Sequence, residues 1–135
     1  MKPSRYLSSL SAVLLAPFLA ACVAAPIHPG SYPLVPQETV TLARDIHLTY
    51  DSFSDSRCPP NAQCVWAGRL VFRFIIDGPN GVQEVTLGPD EPSARPAILR
   101  GARIALDPAS IQPARAAGTM RPADAMPVTL KVSTP

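Results

Sequence analysis

The chain has 135 residues, 17 of them proline and 3 cysteine, and a formal net charge of +2. That length supports one domain with a modest core. Arginines such as Arg69, Arg73, Arg95 and Arg103 are scattered among acids, which excludes a basic footprint for nucleic acid.

The first stretch does not belong to the domain. Lys2 and Arg5 form a positive start, and Leu7 to Ala21 is uncharged and mostly apolar. Fifteen residues at a helical rise span about 22 Å, short of the roughly 30 Å hydrocarbon layer of a bilayer. Pro17 also interrupts a stable span. The segment therefore reads as an export signal over residues 1–21.

That signal ends in Leu19-Ala20-Ala21-Cys22. The order of these four residues closely resembles the lipobox of bacterial lipoproteins. The resemblance implies cleavage before Cys22, a diacylglyceryl group on its thiol, and a membrane as the first partner. Two or three acyl chains hold a protein stably where one alone does not. Val23 stands where an aspartate would signal inner-membrane retention, which favours the outer membrane. Lys2 and Arg5 leave with the signal, so the remaining chain carries 10 basic and 10 acidic residues and no net charge.

Pro26, Pro29, Pro33 and Pro36 then fix the backbone against helix and central strand. Residues 22–37 are expected to be a lipidated cysteine and a semi-rigid tether, with the β domain over 38–135.

From Glu38 the apolar period is two. Val40, Leu42, Ile46, Leu48 and Tyr50 alternate with Thr39, Thr41, His47 and Thr49, and Arg44-Asp45 marks a turn between two strands. Asp51 to Ala62 is rich in turn formers. Cys64 to Ile76 is the strongest strand run, apolar on both faces. Asp77 to Gly81 is a turn, so residues 69–87 read as a hairpin with a five-residue connection. Gly88 to Pro96 reads as a loop and Ala97 to Leu106 as a further strand. Asp107 to Pro127 reads as irregular, with a helical turn near 109–117. Val128, Leu130 and Val132 mark the closing strand. Six to seven short strands without a long amphipathic helix define an all-β class, a small antiparallel β-sandwich or barrel.

Cys58 and Cys64 remain as a pair once Cys22 is lipidated. Export places them in an oxidising compartment, where a pair becomes a disulfide. Closing a seven-residue loop stabilises the fold by about 2 kcal/mol in the chain-entropy treatment.

The densest constellation surrounds that pair: Ser56-Arg57-Cys58-Pro59, four residues, then Cys64-Val65-Trp66-Ala67-Gly68. This S-R-C-P-x4-C-x-W-x-G string resembles a group of small secreted or lipid-anchored bacterial domains. It covers residues 38–132 by pattern and 55–68 closely. It implies a fold and a location, and it supplies no reaction.

The disulfide, Trp66 and Gly68 together can simply form a corner of the fold; otherwise Arg57 and Trp66 are the candidate partner-binding residues. Arg57 has Asp55, Asp51 or a loop carbonyl as partners, and Trp66 either packs beside the disulfide or lies open as a platform. Val65 and Trp66 are expected on opposite sides of a strand starting near Cys64. Gly68 marks a bulge or a close backbone approach.

No G-x-S-x-G, phosphate loop or H-E-x-x-H motif occurs. The cysteine spacing is neither a zinc nor a redox pattern. The reading is a non-enzymatic envelope module, binding or structural, that meets a protein or glycan partner or supports an assembly and needs no cofactor or metal. The alternatives are a metal-dependent protein or enzyme built from dispersed residues, with His47 its only histidine in the domain, and an inhibitor-like stiff loop.

Overall fold

The structure, a computed structural model, describes residues 23–119 and 126–135. The export signal and Cys22 lie outside the described residues. Eight strands form two four-stranded antiparallel sheets packed together, the all-β architecture expected from the alternating pattern.

One sheet has the order β2-β3-β4-β5. β2 (Thr39–Ala43) and β3 (Ile46–Asp55) are joined by the Arg44-Asp45 turn. β4 (Leu70–Gly78) and β5 (Gly81–Leu87) form the expected hairpin. Its connection is two residues rather than five, because Gly78 pairs directly with Gly81, whose φ of 122° only glycine adopts easily.

The second sheet has the order β1-β8-β7-β6, from β1 (Gly30–Leu34), β6 (Ser93–Ala94), β7 (Arg103–Leu106) and β8 (Val128–Ser133). The expected strand over 97–106 is shorter than its apolar pattern. Ala97–Leu99 is a turn of 3-10 helix, and only residues 103–106 enter the ladder. The helical turn expected near 109–117 is a single 3-10 turn at Pro108–Ser110, capped by the Asp107 side chain.

Period-two alternation puts one face of each strand inside. Leu48, Tyr50, Phe72, Phe74 and Ile76 from one sheet meet Leu34, Ile104, Leu106, Val128 and Leu130 from the other in one core. The Tyr50 ring lies edge-on to Phe72 at 6.1 Å and tilted against Phe74 at 5.2 Å. Its hydroxyl donates to the Met126 carbonyl at 3.1 Å, just ahead of β8.

Two boundaries differ from the sequence reading. From Ala25 onward, the residues expected to form a tether are part of the domain. Ile27 and Leu34 are buried, and Gly30–Leu34 pairs residue for residue with Val128–Val132. Proline is tolerated there because β1 is an edge strand. The other difference is β3, which continues to Asp55 through residues read as turn formers. A bulge between Tyr50 and Ser52 resets its register and turns the polar stretch outward.

Candidate functional site

β3 ends at Asp55 and β4 begins at Leu70, so residues 56–69 form a long connection at one end of the sandwich. The Cys58–Cys64 disulfide closes it, with Cα atoms 5.8 Å apart. Two backbone bonds zip its base: Ser56 N–H donates to the Arg69 carbonyl at 2.8 Å, and Cys58 N–H to the Ala67 carbonyl at 2.9 Å.

Gly68 explains how the zip closes. Its φ is +70°, and a Cβ there would stand 1.8 Å from the Ser56 carbonyl oxygen. The close backbone approach expected at Gly68 is therefore what the loop requires.

Arg57 is a strut. Nε and one terminal nitrogen donate to the two Asp55 carboxylate oxygens, each at 2.8 Å, and the other donates to the Gln112 carbonyl at 2.9 Å. Asp55 holds the guanidinium more firmly protonated than usual, chiefly through this hydrogen bonding. Two of the partners foreseen for Arg57, Asp55 and a carbonyl, are used together. Gln112 was invisible to local reasoning because it lies 55 residues away. The same returning segment donates Ala117 N–H to the Asn61 side chain at 2.7 Å.

Trp66 has the opposite fate. It is 83% exposed, and its neighbour Val65 is 95% exposed. They do not flank a strand, because the ladder starts only at Leu70. Gly68 and the cysteine closure divert the chain first, so both apolar side chains stand at the open tip. The sequence marked Arg57 and Trp66 as one surface; the structure divides them into a support and a displayed side chain. Val65 was missed because apolar β-branched residues ordinarily signal a buried strand.

His47 sits exposed on β3, its Nδ1 3.1 Å from the Thr41 hydroxyl. Among the described residues no three His, Cys, Asp or Glu side chains gather as a metal site.

These features define a small disulfide-stapled antiparallel β-sandwich that displays an apolar loop tip. Neither a known family, nor a curated protein, nor a solved structure matches the chain.

Proposed function

We propose that this protein is a lipid-anchored envelope protein, a non-enzymatic binding module that grips a partner protein with Val65 and Trp66. The Leu19-Ala20-Ala21-Cys22 sequence supports the anchor, and Val23 supports the outer membrane as its address. The observation that carries the binding reading is a tryptophan 83% exposed on a disulfide-closed loop.

A free surface tryptophan would normally fold down against its own chain. Here the disulfide, the Ser56–Arg69 zip and the Arg57 strut hold the loop open. A rigid aromatic tip loses little conformational freedom on docking, which leaves more of its burial energy for affinity. Tryptophan anchors of this kind dominate many protein interfaces, with losses of about 2 kcal/mol or more on truncation.

The test is crosslinking in the protein's own envelope followed by recovery of the mature chain. A discrete adduct that Trp66→Ala abolishes and Val82→Ala retains supports the reading. Val82 is also exposed, at 67%, but lies on β5. An adduct pattern indifferent to Trp66→Ala overturns it. The intact mass of the recovered protein reads the cut before Cys22, the acyl group and the disulfide together.

A further inference from the structure

The path of residues 23–34 has a consequence for how the molecule stands on a membrane. Val23 and Ala24 are exposed, but Ala25 already packs against the core and Ile27 is buried within it. His28 N–H donates to the Leu42 carbonyl of β2 at 2.7 Å, and β1 then joins β8. The segment is thus fastened to both sheets.

Arg100 reinforces the fastening. Its guanidinium donates to the Ala25 carbonyl and to the Asp45 carboxylate, each at 2.6 Å. Arg100 also holds a left-handed backbone, with φ 54°, a conformation that non-glycine residues adopt rarely and that the surroundings must enforce.

From Cys22 to Ala25 there are three Cα steps, about 11 Å at full stretch. Ala25 lies at the end of the sandwich that carries the Arg44-Asp45 turn, where β3 begins. The stapled loop starts where β3 ends. Ten residues of strand separate the two ends by about 30 Å.

We infer that the end bearing Ala25, His28 and Arg44 rests on the phospholipid headgroups of the bilayer that holds Cys22, and that Val65 and Trp66 are aimed away from that bilayer into the aqueous space. The leash is about a third as long as the body, so the Ala25 end cannot leave the lipid, and a body standing on that end holds the far one about 30 Å away. Arg44 and His28 are exposed beside the first described residues and face the headgroup phosphates. Asp45, the acid of this turn, is engaged by Arg100. Asp77 pairs in register with His47 and points out from the sheet face.

This orientation rests on the lipid anchor proposed above, and it makes the partner of the loop a protein outside the anchoring bilayer. The single tryptophan of the chain is its own probe. The purified lipoprotein is reconstituted into vesicles of phosphatidylethanolamine and phosphatidylglycerol, with and without brominated acyl chains. Trp66 should show no quenching by the brominated lipid, and the same acrylamide quenching as in the detergent-solubilised protein. The Trp66→Phe, Arg44→Trp double variant moves the probe to the base and should be quenched several-fold more by the brominated lipid. A blue shift and bromine quenching of Trp66, or equal quenching at both positions, overturns the inference.

The mass of the same preparation separates the two readings. If Cys22 carries no acyl group, the anchor reading fails on its own. The orientation is then read with the same quenchers on mature chain joined through the Cys22 thiol to a maleimide-headgroup lipid. Cys58 and Cys64 are bonded to each other, so Cys22 is the thiol that couples.

Discussion

Gly68 carries a constraint that no other residue type meets. Its left-handed φ and the 1.8 Å approach of a notional Cβ to the Ser56 carbonyl act together. Gly68→Ala should therefore break the Ser56–Arg69 zip or lower the unfolding free energy by about 2 kcal/mol or more, as strained backbone and lost hydrogen bonds combine. Urea unfolding followed by circular dichroism measures it, and an unchanged midpoint contradicts the account. Trp66→Ala, at a fully solvated tip, should change stability by less than about 0.5 kcal/mol in the same assay.

Asp107 gives a pH signature at the same scale. Its carboxylate accepts from Lys131 at 3.0 Å and from the Ala109 N–H. Both interactions, the Lys131 hydrogen bond foremost, hold it below its ordinary value of 3.8. The unfolded chain then takes up the proton first as pH falls. The contribution of the pair is present above 3.8 and fades as pH drops through the lower folded value. A carboxyl titration by NMR should place Asp107 below 3.8, and Lys131→Met should move it back up.

β1 is the element whose role most separates a tether from a domain. Leu34 is 1% exposed, so Leu34→Ala removes buried methyl groups and leaves a cavity. The expected loss is about 2–5 kcal/mol by urea unfolding, where a tether residue would shift stability by no more than about 0.5 kcal/mol. β1 was hidden in the sequence for a physical reason. Prolines at 29 and 33 suppress every local strand signal, and the partner that makes Gly30–Leu34 a strand is β8, about a hundred residues on. By contrast β2, the first half of β3, β5 and β8 were legible, because alternation and turn formers are local. Arg44-Asp45 and Gly78 to Gly81 announce their turns in two to four letters. The stapled loop was legible in part. Its cysteines and Gly68 were readable, but the exposed Val65 and Trp66 imitate a strand and the Arg57–Gln112 link spans 55 residues.

At the scale of the whole molecule, the two sheets share one core but few hydrogen bonds can cross between them. The Tyr50 hydroxyl reaches the Met126 carbonyl across 76 residues of sequence. Tyr50→Phe keeps the ring contacts to Phe72 and Phe74 and removes this clasp, at an expected cost of about 1–2 kcal/mol. Both sheets should lose that stability together, because residues from each interdigitate in a single cluster and a small domain of this kind unfolds cooperatively. The probes will report it unequally. Far-ultraviolet circular dichroism follows the strands and should show one transition, moved to lower urea in Tyr50→Phe. The emission of Trp66 should barely shift through that transition in either protein, because the indole is already in water when the chain is folded. A large red shift on unfolding would mean the ring leaves an apolar site, and would contradict the open loop tip on which the binding reading stands.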